Sequence, residues 1–160
     1  MSNIAELLQS TPQRHRKKPP YRKPESIKEL EKQYFEYERS KRPDFPYPVK
    51  TQFRDDTTNT LTKSIKAWFT LNGGHMARIN TTGIYDTKLR RYRFSGSTKG
   101  TADLVGTYRG RSVSVEVKYG RDTQSEAQKK YQQQAEAAGG IYIIASTFDN
   151  FLEQIKIITD

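Results

Sequence analysis

Apolar positions along this chain follow two spacings, and the places where one gives way to the other mark the elements. Ile27, Leu30, Tyr34 and Tyr37 recur every three or four residues among many Glu and Lys, which predicts a helix from Glu25 to about Arg39. The run Arg42-Pro43-Asp44-Phe45-Pro46-Tyr47-Pro48 stops it, because proline lacks a donor and restrains its predecessor. A second helical stripe, Leu61, Ile65, Trp68 and Phe69, has Thr60 as its expected cap and Asn72-Gly73-Gly74 as its stop. Alternation then takes over. His75 to Asn80 reads as a strand, residues 81–100 as a Gly-, Thr- and Arg-rich connection with a further strand inside it, and 104–108 with 111–118 as a hairpin around Arg109-Gly110.

Downstream, Thr123-Gln124-Ser125-Glu126 has the spacing of a capping box and predicts a helix running to Ala138, ended by Gly139-Gly140. Ile141-Tyr142-Ile143-Ile144-Ala145 is a short buried-strand pattern, and Phe148 to about Ile157 a closing helix. An order α-β-β-β-α-β-α suits an α/β fold with a mixed sheet covered by helices on both faces.

With 160 residues, only 33% of them hydrophobic, the chain supports one modest core. The expected division is a disordered basic arm over 1–24, a helix and Pro/aromatic-rich linker over 25–56, and the compact domain over 57–160. Formal net charge is +10, and the excess is regional: residues 60–100 carry 8 Lys and Arg against 1 acid, whereas 101–160 carry 7 against 8. A regional excess points to a polyanionic partner, since basic groups displace the counterions condensed on nucleic acid. No cysteine is present, which excludes thiol nucleophiles, zinc ribbons and disulfide staples. The lack of any run of about 20 apolar residues or of a signal-peptide core leads to the expectation of a cytoplasmic protein with no membrane partner.

Candidate chemistry sits on the strand 113–118. Val113, Val115 and Val117 alternate with Ser114, Glu116 and Lys118, so Glu116 and Lys118 share one face. An acid and a base so placed also make an ordinary solvated pair. The context is richer: Asp103 precedes Leu104-Val105-Gly106, 13 positions before Glu116, and the hairpin would bring the carboxylates together. Two unpaired carboxylates repel, and a bound Mg²⁺ relieves that while leaving coordination places for water and phosphate oxygens. The preceding Gly96-Ser97-Thr98-Lys99-Gly100-Thr101 offers flexible backbone for close passage of a phosphate strand.

Gly100-Thr101-Ala102-Asp103-Leu104, the step to Glu116-Val117-Lys118 and a following helix with Gln128 resemble the PD-(D/E)XK (restriction-endonuclease-like) superfamily, and most closely its VRR-NUC branch. The resemblance extends over roughly residues 57–147. It implies a restriction-endonuclease-like mixed sheet with an αβββαβ core, preceded here by an N-terminal helical extension. It implies an Mg²⁺- or Mn²⁺-dependent DNA endonuclease, since stand-alone members from phages and bacteria are similar to Holliday-junction resolvases and act on branched DNA. By that resemblance Asp103 and Glu116 are metal ligands, joined by the backbone carbonyl of Val117; Lys118 is the catalytic lysine and Gln128 its supporting glutamine. Two departures stand out. Ala102 replaces the usual proline, which supplies only backbone shape, and the first helix begins Thr57-Thr58-Asn59-Thr60 without the usual glutamate, which either removes a second metal position or passes its role to Asp56.

Arg90-Arg91-Tyr92-Arg93-Phe94, extended by Lys88 and Lys99, interleaves cations with aromatics as phosphate contact and base stacking require; a solvated hairpin is the plainer reading. Arg14 to Lys18 form a second basic stretch. His75 and His15 do not make a histidine-metal nuclease, and Ser112, Ser114 and Ser125 have no recognisable general base. The expected activity is hydrolysis of phosphodiester bonds in branched DNA; the alternatives are an inactive nucleic-acid binder on the same fold and a small basic RNA-binding or assembly protein. A chain with one site must either act twice or pair with itself to cut two strands symmetrically, so a homodimer through the helix carrying Tyr34, Phe35 and Tyr37 is one expectation, and that helix folded as a lid over its own sheet the other.

Overall fold

A computed structural model describes residues 20–45, 47, 49–79, 84–93 and 98–159, with the side chains of Ile84, Asp86, Tyr92, Arg93, Ile158 and Thr159 outside the description. The elements in chain order are α1 (Glu25–Ser40), α2 (Thr58–Leu71), β1 (His75–Arg78), β2 (Ile84–Asp86), β3 (Arg91–Arg93), β4 (Leu104–Tyr108), β5 (Arg111–Val117), α3 (Glu126–Ala137), β6 (Ile141–Ala145) and α4 (Phe148–Thr159). Four strands form a mixed sheet in the order β1-β4-β5-β6, antiparallel except for the parallel β5–β6 pair that α3 connects. β2 and β3 make a separate two-stranded sheet. The protein is thus α/β, with a four-stranded mixed sheet flanked by helices.

One face of the sheet is apolar. Leu104, Val113, Val115, Val117, Ile141, Ile143 and Ala145 are buried in a single cluster with Leu61, Ile65 and Phe69 of α2 and Phe148, Phe151 and Ile155 of α4. Each fully buried Leu, Ile or Phe contributes about 1.5–3 kcal/mol, so this layer carries most of the fold. Ile27, Leu30 and Phe53 belong to the same cluster, and α1 packs on α2 and α4. The hydrophobic core therefore reaches well upstream of Thr57, with Tyr34 set edge-on to Phe53 at 5.1 Å. Residues 1–19 lie outside the description, but residues just after them are bound to the domain: the Tyr21 hydroxyl donates to Asp55 Oδ1 at 2.8 Å and Lys23 pairs with Glu31 at 2.6 Å.

Both helix caps differ from those the spacing suggested, by three residues at α2 and two at α3. Thr57, rather than Thr60, caps α2, and Thr60 at the third helical position returns the bond to the Thr57 backbone. Likewise Ser125 with Gln128, rather than Thr123 with Glu126, forms the box on α3. In each case two hydroxyl-bearing residues lie close together in sequence, and the cap goes to the one whose backbone is extended where the chain meets the core. Asp55, 93 positions upstream, accepts from Phe148 N–H at 3.2 Å and so places a negative charge at the first turn of α4. Among the described residues no helix is long and apolar enough to cross a membrane.

Candidate active site

The opposite face of the sheet is polar, and its site is assembled by register. β4 and β5 pair with Leu104 opposite Val115 and Val105 opposite Ser114, so the same antiparallel count sets Asp103 opposite Glu116 on the face away from α2. The Arg109-Gly110 turn that fixes this count has both residues at positive φ, 48° and 75°, the conformation of a type I′ hairpin turn. Asp103 Oδ2 accepts from Val117 N–H at 3.0 Å, while the Asp103 carbonyl accepts from Ile79 N–H at 2.8 Å. Val117 itself turns its side chain into the core and leaves its backbone to the site.

Glu116 is 1% exposed, so the pair with Lys118 is not the solvated one that its alternation alone suggested. Its Oε1 lies 3.0 Å from Lys118 Nζ and also accepts from Gln128 Nε2; its Oε2 is buried with no hydrogen-bond partner. Burial is the largest influence on Glu116 and pushes its carboxyl above the usual range; the Lys118 hydrogen bond opposes this and the Asp103 charge adds to it. For Lys118, burial pulls the ammonium down, but Glu116 and Asp122 more than offset this and the net shift is upward. The pair is therefore an ion pair whose acid is poorly solvated. Lys118 Nζ also lies 3.4 Å from Asp122 Oδ2.

Gln128 ties these groups to α3. Its Oε1 accepts from Lys118 Nζ at 3.1 Å and from Ser125 N–H at 2.9 Å, so the amide that caps the helix also holds the lysine. α3 has no fully buried residue; it rests on β6, where Tyr131 meets the Tyr142 ring at 6.3 Å, and is tied to the site at its first turn by Gln128. Gly100 explains the close approach: at φ 89°, a Cβ there would come within 2.2 Å of the Ala127 carbonyl oxygen. At Gly100 the close neighbour is thus α3 itself, while Gly96 and Ser97 of the expected phosphate approach lie outside the described residues.

Asp103, Glu116, Val117, Lys118 and Gln128 are brought together. Lys88, Arg90 and Arg91 are exposed on the separate β2–β3 hairpin, where Tyr85 pairs with Tyr92 in register and Arg90 holds a turn at φ 50°; Lys99 is exposed on the approach to β4. Phe94 and the side chains of Tyr92 and Arg93 lie outside the description. His75 is exposed at the end of β1 remote from Arg78 and from Asp103. Asp56 is held by Arg54, which keeps its carboxyl below the usual range, and accepts from the Thr60 hydroxyl at 3.2 Å. Among the described residues no three His, Cys, Asp or Glu side chains group as a metal cage, so Asp56 does not complete a set with Asp103 and Glu116.

Tyr142 is a site residue that sequence reading missed. Opposite Ser114 in the parallel register, it faces the Glu116 side, and its hydroxyl is buried without a hydrogen-bond partner. Burial and then Glu116 push its phenol pKa up, outweighing the opposing effect of Gln124 beside it, so it stays protonated. The signal was a lone hydroxyl-bearing residue in the apolar run 141–145.

The chain matches no protein-family model and no curated protein. Its structure is similar to that of a solved VRR_NUC domain protein at a TM-score of 0.38, with 16% identity over 84% of this chain and 88% of that one.

Proposed function

We propose that this chain is a divalent-metal-dependent DNA endonuclease of the VRR-NUC type within the PD-(D/E)XK superfamily, with branched DNA as its preferred substrate. The observation that carries the reading is Glu116 Oε2: a buried carboxylate oxygen without a partner, opposite a second carboxylate on the same face. Leaving such an acceptor unsatisfied costs about 1–3 kcal/mol, which a pure binder has no reason to bear beside a phosphate. The donor set, carboxylate oxygens with a backbone carbonyl available, is the hard-oxygen chemistry of Mg²⁺ or Mn²⁺.

Asp103, Glu116 and the Val117 carbonyl would hold the cation. A cation held by these residues would supply a more acidic bound water and neutralise charge on the scissile phosphodiester. Lys118, kept protonated by its acidic neighbours, orients the attacking water and stabilises the negative charge that builds on the pentavalent phosphorus. Gln128 fixes the lysine and the Glu116 carboxylate in one geometry through its two amide atoms. The cationic hairpin with Lys88, Arg90, Arg91, Tyr92, Arg93 and, nearby, Lys99 supplies phosphate contacts flanking the cut, and a homodimer would present two sites to a junction. Incubating the protein with linear, supercoiled and four-way-junction DNA, with and without Mg²⁺ or Mn²⁺, tests this: metal-dependent cutting is expected, and its absence on all three substrates sinks the reading.

A second reading, a nucleic-acid binder on a nuclease-like fold without activity, is favoured by the Asp56–Arg54 pairing and by the two-carboxylate limit of the site. The same incubation separates it: binding without cutting.

A further inference from the structure

On the α2 side of the sheet, away from Glu116, a cavity of about 360 Å³ opens between α1, α2 and the edge strand β1. Along α2 it is lined by Asn59, Thr62, Lys63, Lys66, Ala67 and Thr70, the spacing of a single helix face. Arg78 closes one end, and Tyr34, Thr51 and Phe53 form the far wall. The lining holds three cations and no carboxylate, and among the described residues no Asp or Glu pairs with Lys63, Lys66 or Arg78. Among the described residues the Lys66 ammonium makes no hydrogen bond, and Lys63 reaches the Gln52 carbonyl at 3.3 Å and lies over the Phe53 ring at 5.2 Å. Asn59 spends its Oδ1 on Arg78 at 2.8 Å, which turns its amide N–H₂ outward as a further donor. The walls therefore present donors and positive charge whose partners among the described residues are neutral groups only, with no carboxylate to neutralise them.

One end of the pocket adjoins the strand that leads to the candidate site. Arg78 pairs with Leu104, the residue after Asp103, and the next residue, Ile79, donates its N–H to the Asp103 carbonyl. β1 is an edge strand, so a chain of phosphates lying in the pocket reaches the Asp103 face by crossing its end. We infer that this pocket binds the phosphate backbone of the nucleic-acid substrate, gripping an arm that flanks the strand at Asp103 and Glu116. The inference deepens the nuclease reading and rests on it for the identity of the polyanion. Mutual repulsion of three clustered cations is relieved when phosphates replace condensed counterions, so the contact is electrostatic and blind to sequence.

The test uses the full-length chain in EDTA, with affinity for a labelled 20-base-pair duplex measured across a salt series. The Lys63→Gln/Lys66→Gln/Arg78→Gln triple variant, folded as judged by circular dichroism, is expected to bind at least about tenfold more weakly, with the slope of log affinity against log salt shallower by about two to three. A control removing three cations paired with glutamates of α1, Lys28→Gln/Arg39→Gln/Lys41→Gln, keeps nearly the wild-type slope. An unchanged slope in the pocket variant, or an equal loss in the control, overturns the inference. So does a thermal shift by inorganic pyrophosphate that the pocket variant abolishes while its DNA affinity stays at wild type, which would make this a small-anion site. A charge-reversing pair, Lys63→Glu/Lys66→Glu, gives an independent check that must weaken binding further. Because binding is read without metal, the two readings fail separately: DNA binding that needs the pocket in a protein that never cuts removes the nuclease, and cutting by a protein whose pocket variant keeps its slope removes the pocket.

Discussion

Gln128 and Glu116 are joined side chain to side chain across the gap between α3 and the end of β5, although 12 residues separate them. The same amide accepts from Ser125 N–H and Lys118 Nζ, so helix start, lysine and buried carboxylate share one anchor.

Replacing Gln128 should therefore affect folding and chemistry separately. Gln128→Leu removes both the cap and the bridge and is expected to cost about 1–2 kcal/mol, with cleavage strongly reduced. Gln128→Glu keeps the capping-box acceptor but loses the donor to Glu116 and sets a second carboxylate against it, so repulsion offsets the regained cap and cleavage does not return. Urea melts and a junction-cleavage assay on both variants check this; equal activity in Gln128→Glu and wild type would show that Gln128 serves α3 alone.

For Glu116→Gln the expected metal-free stability is equal to or above wild type, because burial disfavours the carboxylate it removes. Metal then distinguishes them. Mg²⁺ at about 100 times its dissociation constant should stabilise the wild-type fold by about 2.7 kcal/mol and leave Glu116→Gln and Asp103→Asn unmoved. Both variants lose cleavage and keep or gain DNA affinity in EDTA, since an anion near the phosphate is gone. Calorimetry with and without Mg²⁺ reads the first point, and an equal metal-induced shift in all three proteins would place the cation elsewhere.

Lys118→Ala alone leaves a buried acid uncompensated, and the expected cost is about 3 kcal/mol. The double variant Lys118→Ala/Glu116→Gln should be less destabilised than that, giving a coupling of at least about 1 kcal/mol. Additive losses in a double-mutant cycle would mean that the pair contributes no mutual stabilisation.

Neutralising Arg90, Arg91 and Arg93 on the β2–β3 hairpin should weaken DNA binding without sequence preference. Each lost phosphate contact lowers the steepness of log affinity against log salt by about one. Fluorescence anisotropy over a salt series measures it, and a wild-type slope in the triple variant excludes this hairpin from the interface.

Gly100→Ala combines a positive φ with a clash against the Ala127 carbonyl, for an expected loss of about 2–4 kcal/mol. The loop and the first turn of α3 must separate, so amide exchange at residues 126–129 should accelerate more than in β5. Wild-type exchange there would show that the loop relaxes without moving α3.

The local pattern determined a good deal. Periods of 3.6 and 2 placed the helices and the main-sheet strands to within about two residues, because each element buries one stripe or one face. Counting across Arg109-Gly110 already set Asp103 against Glu116, since an antiparallel hairpin leaves no freedom once its turn is known. Tertiary structure decided the rest. Whether Glu116 meets water depends on α3, and α3 is docked through the Gly100–Ala127 contact and the Gln128 bridge, none of which leaves a periodic mark. Tyr142 joins the site only because β6 runs parallel to β5 in one particular register. Thr57 and Ser125 became caps because the chain emerges extended from the core at those residues, and the Lys63–Lys66–Arg78 pocket exists because an edge strand lies beside a helix whose lysines, read along the sequence, are only a solvated face. Spacing along the chain records how each segment faces the core; it holds no record of which segments meet.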